Sequence, residues 1–247
     1  MHIHVFNYRH AEEILRHPRN DDAWREIFDI VANVPLFLHS NKGKAPGGGQ
    51  LDVEQRCMNT YFDRLFAVER DWEFHPLATL IEDSGLAADY RKSFQNIRIQ
   101  VEVQFGNASR LYADVFKFQA AFSQDVVDLG LCVIPMASLA KRMGQNIVSF
   151  ERVTKELKAA KSFLTLPILV LGIEPNDETS EIDIRQSSLP LTSKGTVKLD
   201  GDNAYRITNA VFDGLPVSGV MAASPIGPKP GALVPLEPEE EADRGED

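Results

Sequence analysis

Residues 97–107 constrain the fold of this chain more than any other stretch. Apolar residues occupy positions 97, 99, 101, 103 and 105, and polar residues occupy the positions between them. This alternation with a period of two predicts a β-strand with one packed face and one polar face. The polar face carries Glu102 and Gln104, and Gly106 ends the strand. Two interpretations are open: this face holds a cation and its substrate, or it is the solvated outer face of an edge strand.

The segments after this strand predict an α/β core. Residues 126–134 and 167–173 are strongly apolar and predict buried strands. Helices are predicted between the strands, at 109–123, 136–143 and 150–161. The order strand, helix, strand, helix, strand is typical of helices packed on a sheet. Peripheral β segments are expected near the C-terminus, at 181–185, 196–199 and 205–208.

The whole chain predicts a single domain at 1–221, with its core at about 89–175. The N-terminal part reads as a short strand or extended segment at 2–8, followed by helical segments at 11–17, 22–34 and 51–68. Residues 76–88 read as a short helix and a turn around Gly85. Residues 222–247 are rich in Pro, Gly and Glu and lack periodicity, which indicates a disordered acidic tail.

The charge distribution weakens a nucleic-acid function without excluding it. The net charge is −10, but residues 236–247 hold seven acids and one arginine, which leaves −4 for the rest. Segment 40–50 contains Lys42 and Lys44, four Gly and no acid. It is either a plain linker or a flexible basic arm that becomes ordered on a phosphate backbone.

Several classes of protein are disfavoured. Cys57 and Cys132 lie far apart and near no ligand-like cluster, so neither a disulfide framework nor a zinc site is expected. No apolar run reaches transmembrane length, and the N-terminus lacks signal-peptide character, so we expect a cytoplasmic protein without membrane association. His2 and His4 lie on the N-terminal strand, and we interpret this pair as structural or incidental.

Carboxylates around the central strand allow metal chemistry. Asp89 precedes Glu102, and two carboxylates that converge on one point can bind Mg²⁺. With phosphate oxygens completing its coordination, such an ion activates water and stabilises developing charge. The residues therefore allow a metal-dependent phosphodiesterase.

The sequence resembles type II restriction endonucleases of the BglII/BstYI kind. The resemblance rests on VEVQFGN, the aromatic helix LYADVFKFQAAF, and then VIPM and PILVLGIEP. The opening FNYRHAEEIL, followed by a Trp-bearing helix, adds to it. It covers roughly residues 1–175. The tetrapeptide EVQF is the most specific part, because this family has Gln where most PD-(D/E)XK nucleases have Lys.

The resemblance implies a PD-(D/E)XK core with a central mixed sheet flanked by helices. It also implies a homodimer on a palindromic site in double-stranded DNA, with GATC at its centre, and Mg²⁺-dependent cleavage of both strands. Glu102 would match the metal-binding Glu, and Gln104 the unusual Gln. Base contacts are implied for Asn107, Gln145 and Asn146, whose amides can bond adenine bidentately. DNA contacts are also expected for Lys42 and Lys44.

The sequence departs from this family at one position. The family has a metal-binding Asp nine residues before the Glu, where this chain has Ser93. Either the connection carries an insertion and Asp89 supplies the catalytic metal ligand, or that carboxylate is lost. The second case would give a cleavage-deficient, sequence-specific DNA-binding relative. A protein-interaction domain that shares only the fold is a third alternative.

Overall fold

The computed structural model describes residues 1–39 and 51–231. Lys42, Lys44 and the rest of the predicted arm, together with positions 232–247 of the predicted tail, lie outside the described residues. Within the described part, strands span His2–Tyr8 (β1), Leu36–Leu38 (β2), Glu73–Phe74 (β3), Tyr90–Ser93 (β4), Arg98–Val103 (β5), Leu129–Pro135 (β6), Ile168–Glu174 (β7) and Glu181–Asp183 (β8). Helices span Ala11–Leu15 (α1), Asp21–Ala32 (α2), Gln55–Asp63 (α3), Ala108–Ser123 (α4), Ala137–Met143 (α5), Phe150–Ala159 (α6) and Gly201–Phe212 (α7).

The main sheet has six strands within the described residues, in the order β1-β7-β6-β5-β4-β3. Strands β5, β6 and β7 are parallel, whereas β1, β4 and β3 pair antiparallel to their neighbours. The sheet is therefore mixed, and β5 is an interior strand between β4 and β6. The predicted alternation of strands and helices between residues 97 and 173 is confirmed.

Each face of the sheet is covered by its own hydrophobic core. Ile99, Val101 and Leu131 point to one face, where they pack with residues of α2, α3 and α7. Cys132 and Val170 point to the other face, where they pack with α4 and α6. Helix α4 thus covers the face to which the polar residues of β5 also point, since side chains alternate along a strand.

The C-terminal region differs from the prediction at two segments. Residues 196–199, expected as a peripheral strand, form only an isolated bridge between Val197 and Leu191. Residues 205–208, expected as a peripheral strand, lie in the helix α7. Its N-cap is Asp200, whose side chain accepts a hydrogen bond from Asn203 N. Ala204 and Ile207 are buried against the core at helical spacing, so the helix period prevails over local β propensity. Strand β8 does form, parallel to β2.

Two smaller differences concern irregular segments. The predicted helix at 76–88 is reduced to a single 3-10 turn at Glu82–Ser84. The described part of the predicted tail is packed against α7: Asn209 Nδ2 donates to the carbonyls of Ile226, at 2.7 Å, and Pro228, at 3.0 Å. No helix within residues 1–39 and 51–231 combines the length and apolar character that a membrane span needs.

Candidate active site

The polar face of β5 is buried rather than solvated. Gln100, Glu102 and Gln104 have exposed fractions of 0%, 1% and 5%. The alternative of a solvated edge strand is therefore wrong, because β5 is interior and α4 covers this face. Burying a row of amides and carboxylates costs free energy unless each group finds polar partners. Glu102 and Gln104 have such partners, which define the candidate site, whereas the buried Gln100 Oε1 has no hydrogen-bond partner among the described residues.

Asp89 lies beside Glu102. Tyr90 pairs with Val101 in the antiparallel β4–β5 hairpin. The same register places Asp89, which precedes Tyr90, opposite Glu102, which follows Val101, with both side chains on one face of the sheet. Asp89 Oδ2 accepts a hydrogen bond of 2.8 Å from Val103 N. The antiparallel hairpin therefore brings together two carboxyl groups that are thirteen positions apart in the sequence.

Ser93 lies away from this site. It pairs with Arg98 at the far end of the same hairpin and is exposed. Four residues of extended strand separate it from Asp89, roughly 13 Å. The structure thus brings Asp89, and not Ser93, to Glu102.

Two further residues of the site come from α4 and were not identified from the sequence. Lys117 Nζ lies 2.5 Å from Glu102 Oε2 and 3.0 Å from Asp114 Oδ1, and it donates to the carbonyl of Ala87 at 3.1 Å. Asp114 Oδ2 also accepts from Gln104 Nε2 at 2.6 Å. Helix α4 therefore links the carboxyl and the amide of β5.

The spacing of α4 contained a signal for Asp114. Leu111, Asp114, Phe118 and Ala121 are buried in this helix. Asp114 lies three residues after Leu111 and four before Phe118, which is the spacing of one helical face. A charged residue inside an apolar face needs a buried partner. This spacing predicts that Asp114 is a buried charged residue, and that Lys117, one helical turn later, is near enough to be its partner.

The electrostatics of the site are dominated by crowded carboxyl groups. Burial, and then repulsion from Asp89, raise the pKa of the Glu102 carboxyl to about 9. Burial raises the pKa of Asp89 as well. Burial by itself would lower the pKa of Lys117, but attraction from Glu102 and Asp114 outweighs it and raises that pKa. Within the described residues, three carboxyl groups thus share one ammonium, and a divalent cation would favour the ionised form of these carboxyl groups.

The donor set fits a hard divalent cation. Asp89 and Glu102 present carboxylate oxygens from adjacent strands on one face, and carboxylates are ligands that Mg²⁺ prefers. Lys117 Nζ lies between the carboxyl groups of Glu102 and Asp114 and forms an ion pair with each.

Gln104 is held rigidly. Its Nε2 donates to Asp114, and its Oε1 accepts from Gly106 N at 2.8 Å. These contacts use one N–H and one lone pair of the amide, which leaves one of each for a further partner. A Cβ on residue 106 would lie 2.9 Å from Gln104 Oε1, so this conformation requires glycine there.

The three residues expected to contact bases lie together on the surface. Asn107 caps α4 through a hydrogen bond from Ser109 N to its Oδ1, at 3.1 Å. It forms an isolated bridge with Ile147, and Ala108 N donates to Asn146 O at 2.9 Å. Asn107, Gln145 and Asn146 are all exposed. The structure thus brings the turn after β5 and the loop after α5 into one amide-bearing surface.

Known proteins resemble this chain in sequence and in fold. Residues 3–173 match the sequence profile of a family described as restriction endonuclease BglII/BglIII. The crystal structure of restriction endonuclease BglII complexed with a DNA 16-mer is similar over 74% of this chain and 84% of that chain, with 20% identity and a TM-score of 0.59. Free BglII is similar over 80% of this chain and 90% of that chain, with 18% identity and a TM-score of 0.53. No curated protein matches.

These likenesses confirm the predicted fold class, a mixed α/β protein with a central mixed sheet flanked by helices. The profile spans more than half of the chain and includes β1 to β7.

Proposed function

This chain belongs to the BglII/BglIII family of restriction endonucleases, type II enzymes that cleave DNA at specific sites, and on this premise we propose a Mg²⁺-dependent cleavage mechanism centred on Glu102. The DNA would be double-stranded and the site a short palindrome, with GATC at its centre. The observation that carries the proposal is the pairing of half-buried Asp89 with buried Glu102 on the face of the sheet that α4 covers.

Asp89 and Glu102 would hold the metal ion. A bound Mg²⁺ supplies Lewis-acid polarisation of the scissile phosphate and a water of lowered pKa. Asp89 is oriented by its hydrogen bond from Val103 N, and Glu102 by the amide of Gln100 at 3.1 Å. Carboxylates held in this way need little rearrangement to bind an ion.

Gln104 and Lys117 would act on the water and on the phosphate. Gln104 is fixed by Asp114 and Gly106, so its remaining N–H and lone pair can orient an attacking water. An amide cannot stabilise negative charge as a cation would. Lys117 would supply that charge from α4.

Base recognition would come from the amide-bearing surface of Asn107, Gln145 and Asn146. Asn and Gln side chains can bond the edge of adenine through two hydrogen bonds in the major groove. Lys42 and Lys44 would contact phosphates, which position a protein on DNA without reading its sequence.

Cleavage of both strands of a palindrome calls for two copies of the site, and we infer a homodimer. The exposed face formed by α4, α6 and the following turn fits a second copy of this chain. Tyr112, Phe116 and Phe163 are exposed by 57%, 60% and 67% on this face, around a cavity of about 530 Å³. Clustered exposed aromatic residues are typical of protein interfaces.

The proposal is tested with Glu102→Ala. We expect loss of cleavage in Mg²⁺ with site-specific binding in Ca²⁺ preserved, because the substitution removes a metal ligand and leaves the amide-bearing surface intact. Fragment mapping on unmethylated phage DNA and a gel-shift assay in Ca²⁺ provide the two measurements. Glu178→Ala, at an exposed glutamate, is the matched control. Full cleavage by Glu102→Ala would refute the assignment.

Asp89→Asn tests the first metal ligand separately. The substitution keeps the shape and removes the negative charge, so we expect cleavage to fall by about 100-fold or more, as for loss of a charge that acts in the transition state. The activity should require a higher Mg²⁺ concentration. Ser93→Ala, at the position nine residues before Glu102, should cleave like the wild type. Unchanged cleavage by Asp89→Asn would remove this residue from the site.

A further inference from the structure

A second group of metal-binding side chains lies at the edge of the sheet, away from the nuclease site. We propose that His2, His4 and Glu174 form a binding site for Zn²⁺ or a similar transition-metal ion. Their three ligand atoms lie within 4.8 Å of one another. This inference does not depend on the proposed cleavage mechanism.

The pairing of β1 with β7 creates the cluster. His2 and His4 are two residues apart on β1, so their side chains point to the same face. In the antiparallel register His2 pairs with Glu174 and His4 pairs with Gly172. Glu174 is the diagonal neighbour of His4 in this register, and His4 Nε2 lies 2.7 Å from Glu174 Oε1.

The distances suit a metal ion with three protein ligands. Zn²⁺ binds His nitrogen and carboxylate oxygen at about 2.0–2.2 Å, so tetrahedral ligand atoms lie about 3.4 Å apart. The present contact between His4 and Glu174 would open by less than about 1 Å to admit the ion. The His2 and His4 ring centroids are 4.6 Å apart at an interplanar angle of 88°, so the two rings are direct neighbours. Water completes the tetrahedron at such sites.

A second contact fixes the carboxylate. Ser138 Oγ, from α5, donates to Glu174 Oε2 at 2.9 Å. The hydrogen bond leaves Oε1 directed at His4 and His2. Hydrogen bonds of this kind orient metal-binding carboxylates and strengthen metal affinity.

The ligand chemistry separates this site from the nuclease site. Two imidazoles and one carboxylate favour Zn²⁺, Ni²⁺ or Cu²⁺, whereas the carboxylates around Glu102 favour Mg²⁺. Glu102 pairs with Cys132 and Cys132 with Val170, which lies four residues before Glu174 on β7. Glu102 and Glu174 are therefore separated by two strand spacings across the sheet and four residues along a strand, which are perpendicular and combine to roughly 16 Å. One ion therefore cannot bridge the two sites.

Zinc titration of the full chain in excess Mg²⁺ tests the proposal. We expect one Zn²⁺ per chain and a rise in Tm with zinc, and we expect both in Glu102→Ala as well. The double variant His2→Ala/His4→Ala should bind zinc at least about tenfold more weakly and lose the rise in Tm. Glu174→Gln keeps a side chain of the same shape and should weaken binding as well.

The matched control is His10→Asn. His10 lies 3.5 Å from Glu13 and is exposed, but it belongs to no cluster of three ligands among the described residues. Its φ of 63° is tolerated by Asn, so the substitution should not disturb the backbone. Zinc affinity of this variant should equal that of the wild type. Equal zinc affinity in the wild type and the double His variant, or no zinc bound to the wild type, would overturn the proposal.

Discussion

The positive charge beside Glu102 comes from a helix and not from the strand. Lys117 reaches the carboxyl from α4, while Gln104 holds the strand position two residues after Glu102. The Lys117 side chain is 12% exposed and the Glu102 side chain 2% exposed. In such a buried pair each partner offsets the desolvation of the other, so removal of one leaves an uncompensated charge.

Lys117→Met should therefore affect stability and cleavage together. We expect the free energy of unfolding in EDTA to fall by about 3 kcal/mol. Mg²⁺ should restore more stability to this variant than it adds to the wild type, because the ion replaces the missing charge. Cleavage should fall by about 100-fold or more. Denaturant unfolding with and without Mg²⁺, and single-turnover cleavage, measure these effects.

Lys155→Met is the matched control for this substitution, because Lys155 is exposed on α6. It should leave both quantities within about 0.5 kcal/mol of the wild type. Wild-type cleavage by Lys117→Met would remove Lys117 from the mechanism, whatever its effect on stability.

Among the secondary-structure elements, β5 is fixed at its start by an ion-pair cluster. The Arg98 side chain donates two hydrogen bonds to the Asp128 carboxylate, from Nε at 3.0 Å and from Nη2 at 2.8 Å. The backbone N of Arg98 donates a third, at 2.8 Å. Asp128 immediately precedes β6, so this cluster sets the parallel register in which Glu102 pairs with Cys132. Hydrogen bonds from Arg98 lower the pKa of Asp128.

This pKa shift predicts how stability depends on pH. The pKa of Asp128 in the folded protein lies below its ordinary value, so the cluster stabilises the fold at any pH above the ordinary pKa. This stabilisation is lost as the pH falls through the pKa of the folded protein. The Asp128 side chain is 42% exposed, so solvent screening limits the contribution to about 1 kcal/mol.

Asp128→Asn should be less stable than the wild type by about this amount at neutral pH. The difference should shrink as the pH falls below the ordinary pKa of an aspartate and disappear once the wild-type carboxyl is protonated in the folded protein. Urea unfolding across this range measures it, with the exposed Asp177→Asn as control. A difference that stays constant with pH would mean that the charge of Asp128 has no part in it.

For the whole molecule, the helix α4 connects the candidate active site with the face proposed as the dimer interface. Helix α4 contributes Asp114 and Lys117 on its inner side and Tyr112 and Phe116 on its outer side. The same helix would therefore position the catalytic groups and meet the partner subunit. A displacement of α4 at the proposed dimer interface would therefore also move Asp114 and Lys117 at the candidate active site.

Phe116→Lys should dissociate the proposed homodimer into monomers. A charged side chain in an apolar interface costs several kcal/mol, so we expect a monomer by sedimentation velocity and loss of double-strand cleavage. Leu215→Lys, at another exposed apolar residue, should leave the protein dimeric and active. Dimers of Phe116→Lys with wild-type cleavage would place the interface elsewhere.

The sequence by itself determined the strands and helices between residues 97 and 173, because the two-residue and 3.6-residue periods are local properties of the chain. The same local pattern singled out Glu102 and Gln104. The strand predicted at residues 205–208 was wrong, because this short segment with β propensity is helical and packs against the core.

Only the tertiary structure decided which groups meet. Asp89 and Glu102 are brought together by the hairpin register, and Lys117 reaches Glu102 from the next element. Likewise, His4 and Glu174 become neighbours although 170 positions separate them. Pairing across strands and helices depends on register and burial, which no single segment of the chain encodes. The polar face of residues 97–107 is therefore a local property, whereas its burial and its charge partners belong to the folded molecule.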